Sequence, residues 1–143
     1  MYEEDCVFCR IAAKKEPASV VYEDEEVVSF MDIRPVNIGH VLVIPKKHYK
    51  DLLEMPEKDI GNLFRKVRKI ALKVKKTTGA DGISILQSNG KAAFQHVFHM
   101  HVHIIPRFEK DKATDAFVSL MKPLLKRPRL AELDDVAEKI KNI

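Results

Sequence analysis

The sequence is organised around the segment HVFHMHVHIIPR, residues 96–107, which holds four of the six histidines of the chain. From His99 onward the histidines alternate with apolar residues, and a period of two predicts a β-strand with one buried face. We expect the strand to end at Pro106, because proline offers no N–H to a neighbouring strand. His99, His101 and His103 would then share the opposite face, roughly 6.5 to 7 Å apart.

Three interpretations of this histidine face remain open. The histidines could be structural, although each buried imidazole without a hydrogen-bond partner would cost about 1–3 kcal/mol. They could bind a metal ion, as three protein ligands do in many catalytic zinc sites. They could also catalyse transfer at phosphorus, with one neutral imidazole attacking and a second protonating the leaving group.

Composition and length limit the class of protein. With 143 residues and a hydrophobic fraction of 45%, the chain is predicted to form one domain, residues 1–143. We expect no membrane span, because no apolar run approaches about 18 residues. The N-terminus lacks the basic start and apolar core of a signal peptide, which predicts a cytoplasmic location. The net charge of +4 comes from 25 basic and 21 acidic residues, and such a mixed surface suits an anionic small ligand as well as nucleic acid.

Hydrophobic periodicity predicts an α+β protein with a five-stranded antiparallel sheet, one long helix and short terminal helices. The long helix covers residues 56–78, and we interpret its basic outer face as solvated, so nucleic acid is not an expected partner. The first helix is predicted from an Asp5 cap to about Lys15, and apolar spacing predicts a last helix over 130–140. Strands are predicted at 20–22, 27–30, 40–45, 83–86 and 99–105.

The alternating segment resembles the signature of the histidine triad (HIT) family, His-φ-His-φ-His-φ-φ, where φ is apolar. Here it reads His99-Met100-His101-Val102-His103-Ile104-Ile105, and Gln95 lies four residues before it. The resemblance covers about residues 6–107 and leaves a C-terminal helical extension of about 112–143. It implies a homodimer of α+β subunits that share one extended sheet, with a nucleotide cleft in each subunit.

The resemblance also implies roles for single residues. His101 would be the nucleophile that takes a nucleotidyl group, His103 would bind phosphate oxygens, and His40 would complete the catalytic cluster. Asp32 would accept hydrogen bonds from both ribose hydroxyls, and Gln95 would contact the leaving group or the α-phosphate. Further nucleotide contacts would come from a base wall and two loop positions: Phe8, Ile11, Met31 and Ile33, then Ser88 and Val97. Without the resemblance, Asp32 would be interpreted as a turn cap and the apolar residues as core.

Three positions depart from the family pattern. Ser88 stands where most members have Asn or Gln before the x-Gly turn, and Phe94 replaces a glycine. His96 follows Gln95 where the family usually has Ser or Thr. An imidazole can donate a proton at neutral pH where a hydroxyl cannot, so His96 is a candidate catalytic residue at the leaving group; otherwise it is a surface residue without a role.

Both cysteines of the chain lie in a CxxC motif, Cys6 to Cys9. Redox use in a thioredoxin-like setting would need a preceding strand, and none is predicted. The motif is similar to that of prokaryotic HIT members of the Hint/Hit type, which implies a zinc ion held by these two cysteines with His48 and His99. Two thiolates and two imidazoles make a closed site, so this zinc is expected to be structural, with no metal needed for catalysis.

Taken together, the resemblance implies a nucleotide hydrolase or transferase that cleaves at the α-phosphate of a substituted AMP through a nucleotidyl-histidine. The expected substrates are purine nucleotides, either nucleoside phosphoramidates or dinucleoside polyphosphates, and His103 favours hydrolysis over phosphorolysis. Two alternatives stay open. One is a nucleotide-binding or scaffolding module with vestigial activity, and the other is a metal-dependent hydrolase that uses the three-histidine face.

Overall fold

The computed structural model describes residues 2–111 and 130–143 and has the predicted α+β architecture, with one five-stranded antiparallel sheet. Across the sheet the strands follow the order β1-β2-β3-β5-β4. The histidine strand β5 therefore lies inside the sheet, between β3 and β4. The strands are β1 (Val20–Glu23), β2 (Val27–Met31), β3 (Val41–Pro45), β4 (Gly82–Leu86) and β5 (Val102–Arg107).

Helices cover both faces of the sheet. The long helix α2 (Glu57–Thr78) buries one apolar stripe against the sheet, and the last helix α3 (Leu130–Lys141) joins the same core. The short helix α1 (Val7–Ala12) packs on the opposite face, over Phe30 and its neighbours. Gly79 ends α2 in the left-handed conformation at φ 69°, which glycine adopts without side-chain strain.

The histidine strand differs from the prediction at both ends. Val43 pairs with Val102, so continuing the register would set Met100 opposite Pro45, which has no N–H. The N–H of Met100 instead donates to the Tyr49 carbonyl at 2.7 Å, and β5 begins only at Val102. Its end at Pro106 was also predicted wrongly. Pairing between β3 and β5 stops at Ile104, before Pro106 is reached. The Pro106 carbonyl points to that same side, where it accepts from the Asn37 side chain at 2.8 Å. The N–H that proline lacks would therefore have had no strand partner, and β5 continues to Arg107.

The first helix is shorter than predicted. Its N-cap is Cys6 rather than Asp5, and the Cys6 sulfur accepts from the Cys9 N–H at 3.3 Å. The helix stops at Ala12 rather than Lys15, because Lys14 takes a left-handed conformation at φ 62° and turns the chain back.

The C-terminal extension is seen in part. Helix α3 lies where the apolar spacing predicted it, while positions 112–129 of the predicted extension fall outside the described residues. The single-domain boundary 1–143 stays a prediction. Within residues 2–111 and 130–143, no helix combines the length and apolar character needed to cross a bilayer.

Candidate functional site

A cavity of about 410 Å³ opens on the face of the sheet that carries α1. Helix α1, the end of β2, the loop before β5 and one residue of α3 form its wall. Its size and largely apolar wall are typical of a small-molecule site. The sequence-predicted residues that line it are Phe8, Ile11, Met31, Asp32, Ile33, His40, His96, Val97, His101 and His103.

Two predicted nucleotide contacts do not line this cavity. Gln95 is buried, and its amide oxygen accepts from the Gly90 N–H while its nitrogen donates to the carbonyls of Lys50 and Val97. Its amide thus holds three loop segments together. Ser88 is also absent from the wall, and its carbonyl accepts from the Gln87 side chain at 3.2 Å. Ligand contacts by these two residues stay predictions.

The tautomer of His101 follows from its backbone partner. Its Nδ1 lies 2.7 Å from the carbonyl oxygen of His99. A carbonyl only accepts, so Nδ1 must carry the proton, and in the neutral ring Nε2 keeps its lone pair. Burial lowers the pKa of His101, although this hydrogen bond and the charge of Asp32 oppose the shift. His101 is therefore neutral at pH 7 and has the tautomer of a nucleophile.

His40 and His103 form a hydrogen-bonded pair in which His103 takes the tautomer opposite to that of His101. The Val36 N–H donates to His40 Nδ1 at 3.0 Å, so the neutral His40 ring carries its proton on Nε2. That proton lies on the 2.9 Å bond to His103 Nδ1, which leaves the His103 proton on Nε2. His103 is thus a hydrogen-bond donor beside His101, with ring centroids 5.1 Å apart.

Burial keeps this pair uncharged. It lowers the pKa of His40 to about 3, with a further contribution from His101. Burial also lowers the pKa of His103, and the neighbouring His40 adds to that shift. Both rings are neutral near pH 7, as the tautomer assignment requires.

The Asp32 carboxylate lies against the same pair. Its Oδ1 accepts from the Arg34 N–H at 2.7 Å, which is the turn contact expected of an aspartate there. Its Oδ2 lies 3.4 Å from His40 Nε2 and 3.7 Å from His103 Nδ1. The side chain therefore faces both the cavity and the histidines.

A second cluster lies beside the cavity and consists of Cys6, Cys9, His48 and His99, hereafter the thiol–imidazole cluster. One donor atom from each residue lies within 4.8 Å of all the others. Sulfur to Nδ1 distances are 3.3 Å for Cys6–His99, 3.3 Å for Cys9–His48 and 3.5 Å for Cys9–His99. Zinc with bonds of roughly 2.0–2.3 Å would give tetrahedral edges of roughly 3.3–3.8 Å, so the donor set fits zinc.

The backbone orients His99 toward these sulfurs. Its Nε2 lies 2.8 Å from the Pro45 carbonyl and donates to it, so Nδ1 presents its lone pair to the cluster. His99 thus faces the cysteines and not the cavity. Among the described residues, the other group able to hold a metal is Asp32, His40 and His103. The interpretation of His99, His101 and His103 as one metal site therefore has no support, because His99 belongs to a different group of possible ligands from His103.

The loop before β5 keeps an unusual backbone. Phe94, which replaces the family glycine, has φ 68°, so the conformation that glycine favours persists at a strain of roughly 1–2 kcal/mol. Its ring lines the cavity next to the exposed His96.

Sequence reasoning missed several features of the cavity. Arg34 and Leu133 line it, and no spacing in the sequence links either of them to the histidines. The Phe8 ring, predicted only as a base wall, packs edge-on against His101 at a centroid distance of 5.2 Å. It also touches His99 at 5.9 Å and so joins the two clusters.

Comparison with known proteins gives several relatives, and the first of them matches over almost its whole length. An uncharacterized HIT-like protein of Methanocaldococcus jannaschii is 43% identical over 136 residues, covering 95% of this chain and 98% of the relative. An adenylylsulfatase of Arabidopsis thaliana is 42% identical over 109 residues, which cover 76% of this chain and 55% of the relative.

Solved structures share the fold. A Hit-like protein from Bartonella henselae superposes with a TM-score of 0.87 at 36% identity, covering 99% of this chain and 98% of that one. A zinc-bound histidine triad family protein from Mycobacterium smegmatis gives 0.80 at 35% identity, covering 96% and 91%. The family model described as HIT domain matches residues 13–110. The signature histidines, the fold and these relatives agree, and the chain belongs to the HIT domain family.

Proposed function

We propose that this protein cleaves substituted purine nucleotides at the α-phosphate through a covalent nucleotidyl-His101. The observation that carries the proposal is the pair of opposite tautomers in one cavity. His101 has a free lone pair on Nε2, and His103 next to it has a proton to donate to a phosphoryl oxygen. A nucleophile beside a fixed donor is the arrangement that transfer at phosphorus requires.

The reaction has two chemical steps. His101 Nε2 forms a bond to the α-phosphorus while the bond from phosphorus to the leaving group breaks. The His99 carbonyl stabilises the positive charge that develops on the His101 ring, because it already accepts from Nδ1. Water then attacks the phosphorus and breaks the P–N bond, its released proton returns to His96, and a nucleoside monophosphate leaves with His101 Nε2 free again. His96, at the cavity wall, is the proposed donor of the proton that the leaving group takes away.

The remaining cavity residues suit a nucleoside. The proposed base site lies among Phe8, Ile11, Met31 and Ile33, which are apolar and line the cavity. Asp32 Oδ2 is the proposed ribose acceptor. One relative is named an adenylylsulfatase, which supports an adenylyl group as the part of the substrate that is transferred. Phosphoramidates and dinucleoside polyphosphates are the proposed substrate classes.

The thiol–imidazole cluster is proposed to hold one structural zinc ion. Its donor distances fit zinc, and a structural neighbour is described as zinc-bound. With four protein ligands the ion would have no open position for substrate. Its role would be to fix α1 and the backbone of His99, whose carbonyl in turn orients His101.

The proposal extends to a homodimer with a continuous sheet. Strand β4 is one edge of the described sheet, and its Ile85 is 45% exposed, which supports pairing of β4 with a second copy. The measurement is the molar mass in solution by light scattering. The cytoplasmic location stays a prediction.

The test is a single-turnover reaction with an adenosine phosphoramidate, quenched and analysed by mass spectrometry. We expect one adenylyl group on the peptide that contains His101 and a rate that a chelator does not change. His101→Ala should lose turnover by several orders of magnitude and keep nucleotide affinity within a few-fold.

Three results would contradict the proposal in different ways. Chelator-sensitive turnover would favour the metal-dependent hydrolase. Nucleotide binding without turnover would favour the scaffolding module. Activity of His101→Ala within a few-fold of wild type would remove His101 from the role of nucleophile.

A further inference from the structure

Part of the cavity wall comes from the C-terminal side of the segment that the HIT domain model matches. Leu133, on α3, lines the cavity, whereas the match ends at residue 110. Helix α3 packs against the edge strand β1. In the sheet, β2 and β3 lie between β1 and the histidine strand β5, so α3 approaches the cavity from the side away from β5.

Core packing and a chain of hydrogen bonds both hold this wall in place. Leu133, Ala137 and Ile140 are buried in the main core, which fixes α3 on the sheet. The hydroxyl of Ser19, itself buried, donates to the Asp134 carboxylate. The Ser19 carbonyl accepts from the Met31 N–H at 2.9 Å. Leu133 is therefore tied, through one buried serine, to a residue of the proposed base site.

We propose that α3 is a specificity element, with Leu133 as the wall that limits the size of the base. The inference rests on the proposed function, because it takes the histidine end of the cavity as the phosphate end. The base of a bound nucleotide then lies at the α3 end. An unmodified purine fits, whereas a purine enlarged by a fused ring meets Leu133.

The test compares two nucleotides on the full chain, AMP and its fluorescent 1,N6-etheno derivative. The chain has no tryptophan, so ligand fluorescence is measured over a weak protein background. Wild type should bind AMP at least about tenfold more tightly than etheno-AMP. Leu133→Ala should reduce that ratio to below about threefold, mainly through tighter binding of etheno-AMP, and Leu133→Phe should weaken both ligands.

Val136→Ala is the matched control. Val136 lies on the same helix and packs against the same core without lining the cavity, so its truncation should leave the wild-type ratio unchanged. The inference is overturned if folded Leu133→Ala keeps the wild-type ratio of AMP to etheno-AMP affinity and Leu133→Phe binds AMP normally. The proposed function would survive that result. A wild-type protein that binds neither nucleotide overturns the proposed function.

Discussion

His101 and His103 have the same side chain, but hydrogen bonds that lead back to the backbone give the two rings different tautomers. A carbonyl at Nδ1 gives His101 a lone pair on Nε2, whereas a chain of bonds that starts at the Val36 N–H gives His103 a proton there. Both assignments depend on the rings being neutral, and burial ensures this by lowering their pKa values. Division of labour between two adjacent imidazoles thus requires no charged group on either ring.

Asp32 allows a residue-scale prediction. If its carboxylate accepts from the ribose hydroxyls, the contact stabilises ground and transition states about equally. Asp32→Ala should then raise KM by on the order of tenfold or more and lower kcat much less. Steady-state kinetics with an adenosine phosphoramidate gives both constants. A lower kcat with unchanged KM would assign Asp32 to the histidine pair, 3.4 Å away.

Residue roles were predictable only where spacing determines geometry. The motif predicted one cavity for His101 and His103 because residues two apart in extended chain share a face. Both residues line it, although His101 lies just before β5. Gln95 shows the limit, since an amide serves a ligand or three backbone groups equally well and its sequence position does not distinguish these uses. Leu133 shows another limit, because its place at the cavity depends on how α3 packs.

At the scale of elements, α1 depends on its cluster. The helix has only six residues, too few to be stable alone, and two of its anchors are Cys6 and Cys9. If a zinc ion binds there, Cys6→Ser should remove it and lower the melting temperature by on the order of 10 °C. Elemental analysis should find about one zinc per chain in wild type and little in the variant.

His103→Ala is the control for this experiment. His103 is not one of the four cluster residues, so zinc content should stay at the wild-type level. Metal lost from His103→Ala and retained in Cys6→Ser would reverse the assignment of the metal ligands. Metal-free wild-type protein with full stability and activity would show that the cluster holds no structural zinc.

Element types were predictable where one pattern ran long enough. The stripe of α2 and the glycine after it specified a helix and its end. The histidine strand was harder, because its start is determined by Pro45 on another strand and by the Tyr49 carbonyl. Such partners are distant in sequence, and alternation within a segment carries no information about them.

For the whole molecule, the buried histidines predict loss of stability in acid. The folded pKa of His40 is about 3 and that of His103 is also lowered, whereas unfolded histidine titrates near 6.5. Below about pH 6.5 the unfolded chain therefore binds protons that the folded chain does not. The free energy of unfolding should fall as pH drops from 6.5 toward 3, by up to about 1.4 kcal/mol per pH unit for each histidine.

His40→Asn isolates one part of this dependence. Urea unfolding of wild type and variant at several pH values between 6.5 and 4 gives the two slopes, and carboxylates contribute similarly to both. The free energy of unfolding should depend less steeply on pH in the variant. The difference in slope should correspond to about one proton fewer taken up on unfolding. Equal slopes would mean that His40 is not buried in its neutral form.

The thiol–imidazole cluster also offers a way to measure local opening of the fold around α1. The chain has two cysteines, and both lie there, one buried and one half-buried. Cys9 is the buried one, so an alkylating reagent can reach its thiol only when this part of the fold opens. In zinc-free protein the rate of Cys9 alkylation rises with the fraction of time that α1 is open, and its slowing by a bound nucleotide would measure how strongly the ligand holds Phe8 and the helix closed.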